Sequence, residues 1–260
     1  MMRALSTAAT GMDAQQTRLD ITANNIANVS TPGFKKNRAE FAEVMVAVEQ
    51  GPGAPTSAST EAPVGVEIGM GVRTLGTARL HTQGDMKQTG NPLDIAIEGD
   101  GFYMVKLPSG ETAYTRDGEM KLDKEGRLVT REGFSIGDIG VPQDAARVEI
   151  SADGQVSAYV PGEVTPVDCG RIEIATFANP AGLSALGHNL LKETVASGQA
   201  TIGAPGEHGT GTIAQGMLEM SNVKVVEEMV DLIAGQRAYE INARVIKAAD
   251  EMLAQAGQLR

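Results

Sequence analysis

Leu5, Met12, Leu19 and Ile26 recur every seventh residue at one end of the chain, and Leu218, Val225, Leu232, Tyr239, Ile246 and Leu253 do so at the other. A seven-residue apolar period is a helical seam, and a chain with one at each end must cover both. Ala8, Ala9, Ala23 and Val29 flank the first seam. Its helix is predicted to stop at Asn28-Val29-Ser30-Thr31-Pro32-Gly33, where Pro32 disfavours helix at Thr31 and Gly33 permits a turn. Val245, Met252 and Leu259 widen the second stripe, and Ser221 or Asn222 can serve as its N-cap. Glu227, Glu228 and Asp231 suit its first turns through the helix dipole. A helix from Asn222 to Leu259 would run roughly 57 Å at about 1.5 Å per residue, nearly twice the diameter of a small domain.

The middle of the chain has a different period. Val64, Val66, Ile68, Met70 and Val72 alternate, and short strand-like runs follow at Leu93 to Ile97, Phe102 to Val105, Val148 to Ile150 and Arg171 to Phe177. Asn91-Pro92, Asp117-Gly118, Glu125-Gly126 and Asp153-Gly154 punctuate them as turns. Of the net charge of −11, the two ends carry almost none and the middle carries nearly all. Residues 51–63 are nearly all small, Gly or Pro, with too little apolar surface to offset ordering, and a second Gly-rich stretch from Gly198 to Gly211 marks the return. The expected fold is α+β, with long N- and C-terminal helices around an inserted all-β domain.

Several function classes find no support. Phosphate affinity needs clustered Lys and Arg, yet 22 basic residues face 33 acidic ones and no basic run exceeds Lys35-Lys36, so no nucleic acid is expected. No apolar stretch reaches the roughly 18 residues of a membrane span, and the N-terminus reads as mature structure without a signal-peptide h-region. Gly182-Leu183-Ser184-Ala185-Leu186-Gly187 has Leu where a nucleophile elbow needs Gly, and Gly69-Met70-Gly71-Val72-Arg73-Thr74 lacks the last Gly of a dinucleotide loop. The acidic clusters at Asp94, Glu98 and Asp100 and at Asp117, Glu119 and Asp123 lack Ca²⁺-loop spacing and read as solvated faces. His81, His188 and His208 have no ligand spacing and read as surface or turn residues; Cys169 stands alone. No catalytic site, cofactor or metal is expected.

Two arrangements of the termini stay open: a hairpin folded back onto the β domain, or helices that gain their neighbours when copies assemble. Burying the four seam residues of the first helix contributes on the order of 6–12 kcal/mol, against a backbone entropy of about 1–2 kcal/mol for each ordered residue. A lone helix of this kind should not persist.

The stretch Ala23-Asn24-Asn25-Ile26-Ala27-Asn28-Val29-Ser30-Thr31-Pro32-Gly33-Phe34-Lys35 resembles the N-terminal signature of bacterial flagellar rod, hook and hook-associated axial proteins. Glu219-Met220-Ser221-Asn222-Val223 and Gln236-Arg237-Ala238-Tyr239-Glu240 resemble that family's C-terminal helix. The central segments from Thr82 to Asp85, Gln88 to Phe102 and Ala113 to Gly118, with the small-residue stretch from Gln50 to Gly65, resemble the distal-rod branch most. The resemblance implies a structural, non-enzymatic subunit of the basal-body distal rod, a rigid helical tube that carries torque from motor to hook and serves as an export channel. It implies residues 1–35 together with 217–260 as a coiled-coil assembly domain, 36–75 as an extended connector with a distal-rod-type insert, and 76–216 as a β-rich outer domain. Leu5, Met12, Leu19, Ile26, Val225, Leu232, Tyr239, Ile246 and Leu253 would make the assembly contacts, with Asn24, Asn25, Asn28, Pro32, Gly33 and Phe34 as the family signature. Implied partners are further copies in a helical homopolymer, the proximal rod and hook proteins, the peptidoglycan and outer-membrane ring proteins, the rod cap and the export apparatus. The implied location is the rod across the periplasm, reached without a cleaved signal peptide and without membrane insertion.

Overall fold

The computed structural model describes residues 2–51, 53, 55–57, 60–61, 63–162, 165–207 and 209–258. They form an N-terminal helix, a C-terminal helix and a β-rich region between, an α+β chain. Two compact units divide it: residues 1–27, 37–78 and 224–260 make the first, and residues 28–36 and 79–223 the second.

The first unit holds both helices. Helix α1 spans Met2–Ala27, a run without Pro and rich in Ala, Met, Leu and Gln, which favour helix. Helix α2 spans Val225–Gln258 and starts beyond both expected caps, because Asn222 is engaged by Lys36 N–H and Ser221 Oγ accepts from Val223 N–H. The predicted end at Leu259 lies outside the described residues. The strand Asn37–Glu43 pairs with Val72–Arg79, and Val46–Gln50 pairs antiparallel with Val66–Gly69. The alternating apolar positions of this second ribbon do not bury a face: Val48, Val64, Val66, Ile68 and Met70 are all exposed. Part of the Gly/Pro-rich stretch 51–63 lies outside the described residues; within it Pro55–Ser57 and Thr60–Glu61 form a short antiparallel ladder.

The second unit is built from strands, with one 3₁₀ turn at Pro180–Gly182. Its main sheet runs in the order Met120–Leu122, Arg127–Thr130, Ser135–Gly140, Phe102–Lys106, Thr112–Thr115, Leu190–Lys192, Ser184–Gly187, and Ile174–Thr176 joins it beside Phe102–Lys106. Arg147–Ile150, Gln155–Tyr159 and Val167–Arg171 make a second sheet. Successive side chains of the strand Phe102–Lys106 point to opposite faces, and both faces are covered. Tyr103 and Val105 enter a core with Ile95, Ile97, Met120, Leu128, Ile136 and Ile174, while Phe102 and Met104 meet Tyr114, Phe177 and Leu191. The smaller cluster is held by edge-on rings, with Phe102 to Phe177 at 5.8 Å and Tyr114 to Phe177 at 4.8 Å. Three of the nine aromatic residues of an aromatic-poor chain are gathered here.

Candidate assembly surface and buried junction

In the first unit α1 and α2 lie side by side and antiparallel. Arg18 donates to Asp231 at 2.8 Å, Asn25 to Glu228 at 3.1 Å, and Gly235 faces Leu19. A Cβ on Gly235 would sit 3.0 Å from Leu19 Cδ2, so glycine lets the two backbones approach at this point. The positions fully buried along the pair are Ala8, Ala14, Thr22 and Asn25 on α1 and Glu228, Gly235 and Ala249 on α2. Of the nine residues expected to make assembly contacts, Leu5, Met12, Leu19, Ile26, Val225, Leu232, Ile246 and Leu253 are half-buried and Tyr239 is exposed.

A further set of apolar residues on α2 lies off the seven-residue seam, and of these only Val245 and Met252 belong to the widened stripe expected from the sequence. Val226, Val230, Ile233, Ile241, Val245 and Met252 are exposed, Val226 by 75% and Ile233 by 56%. At about 100° per residue Val226, Val230, Ile233 and Ile241 form one stripe, roughly opposite the face that holds Glu228, Gly235 and Ala249, while Val245 and Met252 flank Ala249 on the buried side. A helix apolar on both sides has only half of its apolar surface covered by a single partner. The signal was present in the sequence, but with apolar residues on every side of the helix the period could not tell the stripe that faces α1 from the one that does not.

The signature residues do local work. Asn25 acts as a peptide mimic: its Nδ2 donates to the Asn37 carbonyl and its Oδ1 accepts from the Asn37 N–H, each at 2.9 Å. Asn24, one residue earlier, is exposed. Asn28 closes the turn after α1, its carbonyl accepting from Thr31 N–H at 3.1 Å. Pro32 offers its carbonyl to Asn189 Nδ2 at 3.1 Å, and Phe34 is half-buried. Gly33 has φ +68°, and a Cβ there would lie 2.6 Å from the Asp117 backbone nitrogen, so only glycine fits.

The residue after this signature anchors the second unit. Lys35 Nζ donates to Glu219 Oε1 at 2.6 Å and to the Thr82 carbonyl at 2.7 Å. Arg116 Nε donates to Glu219 Oε2 at 2.5 Å, and its terminal nitrogens bond the carbonyls of Ile97, Gly99 and Gly101. All three charged side chains are almost wholly withdrawn from water. Burial opposes the Glu219 charge, but the Arg116 and Lys35 cations and their hydrogen bonds outweigh it and hold the carboxyl below the usual value. For Lys35 burial prevails, and its amine is lowered despite Glu219. Asn222 completes the junction, accepting from Lys36 N–H at 2.7 Å and donating to the Leu80 carbonyl at 2.9 Å.

Other polar readings change. Asp94 and Asp117 are not solvated: Asp94 is buried and bonded by Asn91 at 2.9 Å, and burial raises the Asp117 carboxyl. His188 and Asn189 take φ of 53° and 59°, a two-residue hairpin turn, whereas His81 is half-buried against Phe102; His208 lies outside the described residues. Among the described residues no group of three or more His, Cys, Asp or Glu could hold a metal ion, and no helix is long and apolar enough to cross a membrane.

Three family profiles match in chain order: "Flagella basal body rod protein" over residues 5–35, "Flagellar hook protein FlgE/F/G D1 domain" over 96–158, and "Flagellar basal body rod FlgEFG protein C-terminal" over 214–259. The chain is 48% identical over 263 residues to the flagellar basal-body rod protein FlgG of Borreliella burgdorferi, covering 100% of this chain and 99% of that one. It is 46% identical to the FlgG of Agrobacterium fabrum, with 96% and 97% covered, and 39% identical to that of Bacillus subtilis, with 97% of each covered. With its two termini and its centre all matched, the chain belongs to the family of the flagellar basal-body rod protein FlgG.

Proposed function

We propose that this chain is a structural subunit of the distal rod of the flagellar basal body, polymerising through its terminal helices into a tube. The observation that carries the mode of assembly is the exposed apolar stripe of α2, roughly opposite the side that meets α1. Neighbouring copies cover that stripe as a coiled-coil wall, while the half-buried seam residues Val225, Leu232, Ile246 and Leu253 hold each subunit's own helix pair. In this reading residues 1–35 with 217–260 are the assembly domain, 36–75 the connector and 76–216 the outer domain. The tube carries torque to the hook and leaves a central export channel. Proximal rod and hook proteins cap its ends, the ring proteins meet its acidic outside, and the chain arrives unfolded.

The test is Ile233→Arg, which places a charge in the middle of the stripe. The dilute subunit should keep its circular-dichroism spectrum and melting temperature while losing sedimentable polymer and failing to restore motility to a strain lacking the protein. Polymer and swimming indistinguishable from the unmodified protein would overturn the assembly face.

A further inference from the structure

A cavity of about 340 Å³ lies inside the second unit, beside the buried junction, lined by Lys35, His81, Asp100, Phe102, Arg116 and Phe177 among others. That is the lower end of the size of small-molecule sites, which span roughly 300–1,000 Å³. Its polar groups are not used up. Lys35 spends two of its three N–H groups, on Glu219 and Thr82, and Arg116 four of its five, on Glu219, Ile97, Gly99 and Gly101. Both ring nitrogens of His81 are shielded from solvent; the Pro180 carbonyl stands as acceptor for one, and the other has no partner among the described residues. An unsatisfied buried polar group costs about 1–3 kcal/mol and is uncommon without a function or a bound partner.

The charge around these donors is positive. Glu219 neutralises one of the two junction cations and leaves a surplus, and the charges acting on His81 come from Arg79, Lys35 and Arg116. Asp100 on the lining cancels the junction's surplus, so the remaining positive charge acting on the site is that of Arg79, and one such charge disfavours a second negative charge on any occupant. Phe102 and Phe177, edge to face at 5.8 Å, give the cavity an apolar wall, and His81 stands edge-on to Phe102 at 5.4 Å. Oriented donors around a single positive surplus suit a carboxylate better than a phosphate dianion.

We infer that this cavity is a binding site for a monocarboxylate with an apolar or aromatic body, its oxygens bonded by the spare N–H groups of Lys35 and Arg116 and by His81. The site is independent of polymer formation. The same chemistry is presented by a free small acid and by the C-terminus of a peptide.

The test uses the full-length protein, dilute and unassembled, followed by two-dimensional amide NMR. The probes are phenylacetate against phenylacetamide, and the peptide Gly-Gly-Phe with a free against an amidated terminus. Phenylacetate should shift the amides of Gly101, Phe102 and Phe177 with millimolar affinity, and its amide should bind about tenfold more weakly or not at all. His81→Leu should weaken binding about as much, and Thr176→Trp, which fills the cavity from a lining position outside the junction, should abolish it. Tighter binding of the free-terminus peptide than of phenylacetate assigns the occupant to a chain end, and the reverse assigns it to a free acid. No saturable shift, equal binding of acid and amide, or unchanged affinity in both variants would overturn the site.

Discussion

Glu219 accepts from Lys35 on one carboxylate oxygen and from Arg116 on the other, so residues 184 and 103 positions away converge on one buried anion. Removing it leaves two cations in a site with little access to water. Glu219→Leu should therefore lower the stability of the second unit by about 3–5 kcal/mol, read from the urea midpoint. Replacing Lys35, Arg116 and Glu219 together with apolar residues of similar volume should recover much of that loss, because no unpaired charge remains. A single variant as stable as the parent would show that the junction is not closed in solution.

Acid should weaken the fold in two stages. Burial, then the charges of Arg79, Lys35 and Arg116, bring His81 down to about 4 from 6.5, so the unfolded chain binds this proton first. Stability should drop as pH falls from about 6.5 towards 4, by up to roughly 3 kcal/mol at about 1.4 kcal/mol per unit. Glu219, held below its ordinary 4.5, adds a further loss as it is protonated at lower pH. Asp117 works the other way, since its raised value means the fold gains when the carboxyl takes up its proton. His81→Leu should flatten the first limb and leave the second; denaturant melts at stepped pH separate them.

Tyr103 is fully buried, and its hydroxyl has no hydrogen-bond partner among the described residues. Burial also raises its phenol beyond the ordinary range. Tyr103→Phe keeps the ring in the core and deletes an unsatisfied group, so it should be neutral or stabilising by up to about 1 kcal/mol. A marked fall in melting temperature would mean that the hydroxyl has a partner, such as a buried water.

The close approach of the helices at Gly235 gives a paired test. Gly235→Val should push Leu19 aside and lower the helical melting temperature, despite the roughly 0.3 kcal/mol that valine gains over glycine as a helix former. Adding Leu19→Ala should recover part of the loss if contact with Leu19 is the cause, a coupling that a double-mutant cycle measures.

Deleting residues 50–65 should leave the melting behaviour of the second unit unchanged and alter the tube. If this stretch bridges neighbouring copies, rods lacking it should be bent or short in electron micrographs. Straight rods of normal length would sink that role.

What could be read from the sequence followed how local the physics is. Both helices declare themselves through an apolar period, and the stop after Ala27 through Pro32 and Gly33, because neighbours along the chain decide these features. The run from Arg171 to Phe177, expected as one strand, belongs to two: one sheet takes it up to Arg171 and another from Ile174. The packing of Ile172 against Gly154 lies between them, where a Cβ on that glycine would meet the Ile172 carbonyl at 2.5 Å. Glu219 and Asn222 stand in a stretch that resembles a helix signature, yet their side chains serve the second unit. Nothing in a linear pattern tells a buried carboxylate from a solvated one when its partners are a hundred or more positions away.

Arg18 and Asp231, joined across the helix pair, are 213 residues apart. On a ribosome adding about 5–20 residues per second, α1 emerges roughly 10–40 s before its partner exists. Throughout that interval its apolar seam lacks the cover that α2 gives it, so the newborn protein is a substrate for holding factors and for misassociation. The pairing that defines the first unit therefore waits for α2, and a truncation anywhere in α2 strands a helix made well before it.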